Sequence, residues 1–193
     1  NIYDELTNTQ KSKWTNLLAH NKIDVLGMQA IVKEYLKKKY NKPGEVYLGV
    51  THRLDRPTTG AVIFTKTSKA LSRMNTLFLN NNVEKIYWAI VKNKPEKHKD
   101  SLINWLKKNP KNNKSTAYRK QVNQSKKAIL HYQLIHSMDR YHLIEVKLET
   151  GRHHQIRSQL SNIGSPIKGD LKYGFDRSNP DGSIHLHAQK ISF

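Results

Sequence analysis

The chain has no cysteine among its 193 residues, which removes disulfide frameworks, thiolate zinc sites and a thiol nucleophile together. It is short of acid as well: 15 Asp and Glu stand against 34 Lys and Arg, for a formal net charge of +19. A surplus of that size implies a polyanionic partner. Long apolar runs are missing. No stretch approaches a membrane span and no signal-peptide pattern opens the chain, so the expectation is no membrane partner and a cytoplasmic location. Glycine is sparse, and the three glycines at 164, 169 and 174 lack Walker or dinucleotide spacing, which argues against phosphate-loop chemistry. What remains, 36% hydrophobic and 25% charged residues, reads as one globular unit long enough for a real core.

The positive charge is unevenly placed. Eleven of the 26 lysines fall between Lys92 and Lys127, in basic loops around short strands. Lysine supplies sequence-independent charge, so Lys107, Lys108, Lys114, Lys126 and Lys127 are candidate phosphate contacts. Arginine behaves differently. There are only eight, and Arg53, Arg56, Arg152 and Arg157 sit in two short windows. A planar, multi-donor side chain concentrated at two places implies defined geometry there.

Periodicity gives a coarse architecture. Ile31, Val32, Tyr35 and Leu36 predict an amphipathic helix over 28–40, broken by Asn41-Lys42-Pro43-Gly44. Residues 46–50 read as a short strand, and Ala61-Val62-Ile63-Phe64, apolar throughout, as a strand buried on both faces. Ser68 is placed to cap a helix running to about Asn80. Strands follow at 84–92, 101–106, 115–120, 126–136 and 140–149, then a helix over 153–163 ended by Gly164, and a last strand over 184–193. Strands outnumber helices and often follow one another. The expected fold is α+β, with a mixed, mostly antiparallel central sheet and flanking helices. The division expected is an N-terminal segment, 1–45, and a main domain, 46–193.

The two arginine windows are the candidate site. In His52-Arg53-Leu54-Asp55-Arg56-Pro57-Thr58-Thr59-Gly60, two guanidinium groups flank Asp55 and favour its charged form. Thr150-Gly151-Arg152-His153-His154-Gln155-Ile156-Arg157 lies at a strand-to-helix junction, where free N–H groups suit an anion. In that helix Ile156, Leu160 and Ile163 form the expected buried stripe, which Arg157 flanks. Tyr87 is a half-buried strand tyrosine, placed either as a core aromatic or as a ring that stacks on a base near Asp55. His153-His154 and His185-Leu186-His187, with Asp170, invite a metal reading. They lack the H-E-x-x-H spacing and a carboxylate cluster, and no metal is expected. No Ser-His-Asp arrangement stands out.

In order, these pieces resemble the RluA-type pseudouridine synthases. The resemblance rests on the residue 52–60 block, then Lys85-Ile86-Tyr87-Trp88-Ala89, then Leu148-Glu149 continuing into the residue 150–157 block. Gly164-Ser165-Pro166-Ile167-Lys168-Gly169-Asp170 with Tyr173-Gly174, and Leu186-His187-Ala188, complete it. It covers about residues 46–193. Thr59 stands where the family commonly has serine, and Gln159 where it commonly has histidine. The resemblance implies isomerisation of uridine in a structured rRNA or tRNA by a monomer, without cofactor or metal. It implies Asp55 as catalytic aspartate, Tyr87 as active-site tyrosine and Arg157 as the basic partner of Asp55. Arg53, Arg56, Arg152, His153 and the five lysines named above would bind RNA. At the sugar, Asp55 could stabilise positive charge, add covalently or remove a proton; these stay open. The rivals are an RNA-binding protein without catalysis, opposed by the intact Asp55, Tyr87 and Arg157, and a metal-dependent nuclease using the histidines.

Overall fold

The computed structural model describes residues 25–193. Helix α1 (Val25–Lys39) opens the described chain. Its Val32, Tyr35 and Leu36 close a small apolar cluster with Val46, Leu48 and Phe64. Strands β1 (Gly49–Val50) and β3 (Phe64–Thr65) pair antiparallel beside that cluster, and α2 (Ser68–Leu79) packs on both. The cap of α2 is Thr67 rather than Ser68: its hydroxyl accepts from the Ala70 N–H at 3.1 Å. An extended residue just ahead of the first helical turn is the geometry that frees such an oxygen.

The second unit is a seven-stranded sheet in the order β2-β9-β4-β8-β7-β5-β6. Its strands are β2 (Thr59–Gly60), β4 (Glu84–Val91), β5 (Lys99–Asn109), β6 (Lys114–Tyr118), β7 (Lys126–Ser137), β8 (His142–Leu148) and β9 (Leu186–Ser192). Among the described residues only β2 and β9 run parallel in this sheet, and its other pairings are antiparallel. The mixed, mostly antiparallel sheet expected from the consecutive strands is the one observed. Its inner face carries Ala89, Val91, Leu130, Leu134, Ile144, Val146 and Leu186, packed against Ile156 and Leu160 of α3 (Gln155–Asn162). The outer face leaves Trp88, Ile103 and Ile135 exposed. No helix among the described residues is long and apolar enough to cross a membrane.

Residues 61–63 do not form the doubly buried strand that their apolarity predicts. They bridge β2, in the large sheet, to β3, in the small one, and are only partly buried. The chain therefore leaves the small sheet after β1, crosses to the edge of the large sheet at β2, and returns. Both legs of this excursion are pinned. Thr51 Oγ1 donates to the Ile63 carbonyl at 2.7 Å, and the Ile63 N–H donates to His52 Nε2 at 3.1 Å. At the far end Gly60 pairs with Ala188 at φ +124°, where an added Cβ would stand 2.4 Å from the Ala188 backbone. Only glycine fits both the angle and the approach. This clamp hangs the Asp55 loop over the large sheet.

Helix α3 departs from a one-stripe pattern. Gln155 through Leu160 are all buried, polar residues included. Ser158 Oγ donates to the Ser115 carbonyl at 3.0 Å, and Gln159 Nε2 donates to the Leu102 carbonyl and Asn104 Oδ1 at 3.0 and 2.8 Å. Those partners on β5 and β6 allow a polar helix face to sit inside, because a buried polar group costs little once bonded.

Candidate active site

A cavity of about 320 Å³ lies between the Asp55 loop, β4 and the start of α3. Asp55, Tyr87 and Arg157, far apart in the sequence, all line it. Each arrives by a different device. Asp55 sits at the head of a turn closed by the Thr58 N–H donating to its carbonyl at 2.8 Å. Tyr87 follows a bulge in the β4–β9 ladder between Ile86 and Tyr87, the kind of irregularity that re-aims a side chain. Arg157 projects from the first turn of α3. Ahead of it, Gln155 Oε1 accepts from Thr150 Oγ1 and the Arg152 N–H, and its Nε2 donates to the Ile129 carbonyl. Gln155 thus staples the Thr150–Arg152 turn to β7.

The guanidinium of Arg157 is divided between two carboxylates. Its Nε and Nη2 donate to Asp170 Oδ2 and Oδ1 at 2.7 and 2.8 Å, a bidentate pair in which Asp170 is 1% exposed. Its Nη1 reaches Asp55 Oδ2 at 3.6 Å. Asp170 is a partner that sequence reasoning missed: there it ends one of the resembling blocks and is a conceivable metal ligand, with no role assigned beside Arg157. Burial opposes the charge on Arg157, but the hydrogen bonds and charge of Asp170 outweigh it and raise its pKa. The Tyr173 ring lies beneath the guanidinium at 4.9 Å.

The flanking arginines do not set the charge state of Asp55. Arg53 and Arg56 are exposed, and burial raises the Asp55 pKa more than Arg157 and Arg53 lower it. The carboxylate is poorly solvated, not strongly stabilised. Tyr87 is pushed up to about 12 by burial and by the Asp55 charge, so it is a neutral phenol across the physiological range.

The remaining predicted residues are only partly gathered. Arg53 and Arg152 line the cavity, as does Lys85, whose pKa burial lowers. Arg152 Nε donates to the Lys127 carbonyl at 2.9 Å, tying the turn to the start of β7. His153 stacks on His154 with ring centroids 3.8 Å apart and bonds Ser115 Oγ at 2.9 Å. The lysine cluster is split by strand alternation. Lys108 and Lys126 lie on the inner side of β5 and β7, whereas Lys107 and Lys127 alternate onto the outer side. Lys114 turns over the Tyr173 ring at 5.2 Å. His187 bonds Thr59 Oγ1 at 2.9 Å, and among the described residues no group of three His, Cys, Asp or Glu is arranged to hold a metal. A Ser101–His131–Glu149 chain, at 2.7 and 2.6 Å, does occur on the exposed outer face, away from the cavity. Its members come from β5, β7 and the bend that follows β8, which hid it from sequence spacing.

The sequence model of the RNA pseudouridylate synthase family matches residues 16–162. The chain belongs to that family. An uncharacterized RNA pseudouridine synthase of Chlorobaculum parvum is 35% identical over 197 residues, covering 93% of this chain and 58% of the relative. Ribosomal large subunit pseudouridine synthase D of Zymomonas mobilis is 34% identical over 147 residues, 75% of this chain and 44% of that protein. The chain spans about half the length of the curated relatives it matches. Among solved structures, human RNA Pseudouridylate Synthase Domain Containing 4 superposes with a TM-score of 0.72 at 23% identity, covering 88% of this chain and 75% of that one. That likeness is one of fold, and it agrees with the pseudouridine synthase fold expected from the motifs.

Proposed function

We propose that this chain isomerises uridine to pseudouridine in a structured rRNA or tRNA, with Asp55 as nucleophile and the target nucleotide flipped into the cavity. The observation that carries the reading is the convergence of Asp55, Tyr87 and Arg157 on one cavity of about 320 Å³, with Arg157 3.6 Å from the carboxylate. That volume is at the small end of ligand sites and suits a single nucleotide rather than a helical stem. A stacked base must leave its helix to enter, at a cost of a few kcal/mol.

In this scheme the C1′–N1 bond breaks as Asp55 bonds to C1′. The freed uracil turns, C5 bonds to C1′ as the Asp55–C1′ bond breaks and frees the carboxylate, and the C5 proton is lost while N1 gains one, so the product is an isomer. The partly desolvated carboxylate is a better nucleophile than a hydrated one. Tyr87 stacks on the base and acts as a phenol, not a phenolate, because its pKa of about 12 keeps the proton on. Arg53, exposed beside the cavity, enters the space the base vacates. Arg56, Arg152, His153 and the inner-side lysines hold the backbone.

Pseudouridine mapping at single-site resolution, in total RNA from cells with and without the protein, tests the function. One or a few sites should disappear without it; an unchanged map refutes it. The lysine assignment has its own test. Replacing Lys108 and Lys126 with alanine should lower the slope of log affinity against log salt by about 1.5, two phosphate contacts' worth. The outer-side pair Lys107 and Lys127, changed the same way, should alter the slope by less than half of that. Equal effects of the two pairs would deny that the inner face is the RNA-binding one.

A further inference from the structure

His154 is buried beside the reacting carboxylate, and its hydrogen bonds fix which ring nitrogen carries the proton. The Ser115 N–H donates to the Tyr173 hydroxyl oxygen at 2.7 Å. That bond occupies an acceptor site on the phenol, and the phenol's own O–H needs an acceptor. His154 Nδ1, 2.9 Å away, is its one such neighbour among the described residues. Tyr173 therefore donates to Nδ1, and a neutral imidazole must then carry its hydrogen on Nε2. The ring is kept neutral by its surroundings: burial first, then the charges of Arg157, His153, Lys172 and Lys108, bring the His154 pKa down to about 3.

Nε2 faces Asp55 Oδ2 at 3.8 Å, the same oxygen that Arg157 Nη1 approaches at 3.6 Å. Both distances exceed a hydrogen bond, so the two donors orient the carboxylate electrostatically; a shift of about 1 Å closes either one. His154 itself cannot drift. It takes the left-handed conformation at φ 51° ahead of α3, and its ring is wedged between His153 and the edge of Tyr173.

We propose that His154 is a positioning residue whose Nε2–H, locked by the Ser115–Tyr173 relay, helps Arg157 hold Oδ2 of Asp55 and leaves Oδ1 to meet the sugar. This rests on the reading of Asp55 as the group at C1′. A carboxylate held by one oxygen presents the other in a fixed direction, which is worth rate rather than affinity.

Two measurements test it. In the unaltered protein with isotope-labelled histidine, the ring-nitrogen shifts of His154 should report the neutral Nε2–H form, and Tyr173→Phe should let the Nδ1–H form appear. An Nδ1–H ring in the unaltered protein overturns the relay. In single-turnover assays His154→Phe should slow conversion by about 10- to 100-fold, the scale of one hydrogen bond to a charge, with RNA affinity unchanged. His154→Gln, which keeps a donor, should recover most of that loss. Full speed in His154→Phe, or no rescue by Gln, also overturns it. If the unaltered protein converts no uridine, the function fails instead, and the histidine spectrum, which needs no RNA, still judges the relay.

Discussion

An Asp55→Asn protein should fold, bind RNA within a few fold of the unaltered chain, and lose conversion by ~10⁴-fold or more. The carboxamide keeps the shape that lines the cavity but cannot bond to C1′ or balance positive charge there. Its stability should be no lower than that of the parent at neutral pH. The sign follows from the raised pKa of Asp55. A carboxyl that binds its proton more tightly when folded favours the folded state at low pH, and that advantage is lost as pH rises through the folded pKa. At neutral pH the ionised Asp55 is therefore a cost, which the carboxamide removes. Thermal melts across pH should show the Asp55→Asn protein equal or ahead at pH 7, with the difference shrinking or reversing in acid. Activity of the parent should fall on the acid side at a pH above the ordinary carboxylate value. A mutant that melts well below the parent at pH 7 would mean that Arg157 draws more stability from Asp55 than burial takes away.

The parts of this site that were legible in the sequence are those written in contiguous residues. The clustering of scarce arginines marked Asp55 and Arg157, and consecutive strands marked the sheet that carries Tyr87. What was not legible depends on partners brought together by the fold. Two arginines adjacent to Asp55 in the chain suggested a well-stabilised carboxylate, but both side chains lie exposed while the carboxylate is half-buried, so burial prevails. Strand alternation separates lysines that composition lumps together. Residues 61–63 have the apolarity of a strand but the task of crossing between two sheets. Gln159 and Ser158 look like an exposed helix face until β5 and β6 supply their hydrogen bonds. Nothing local pairs Asp170 with Arg157; they meet because α3 and the loop after it fold back together.

That last pair carries the largest stability prediction. Arg157 and Asp170 are 5% and 1% exposed and joined by two short hydrogen bonds. Asp170→Asn removes the charge and leaves the guanidinium facing only Asp55, from 3.6 Å. Breaking one partner of such a pair costs about 3–5 kcal/mol, a fall in Tm on the order of 10 °C for a chain of this size. Conversion should also fall, because a guanidinium released from Asp170 turns fully onto Asp55, lowering its pKa and occupying the oxygens the sugar needs. The double variant Arg157→Met with Asp170→Leu separates the two consequences. Apolar side chains of similar volume often replace a buried ion pair at little cost, so much of the lost Tm should return. Conversion should not return, since no cation then faces Asp55 from α3. Recovery of both together would reduce the pair to a packing element, and recovery of neither would place its importance in the folding of α3 itself.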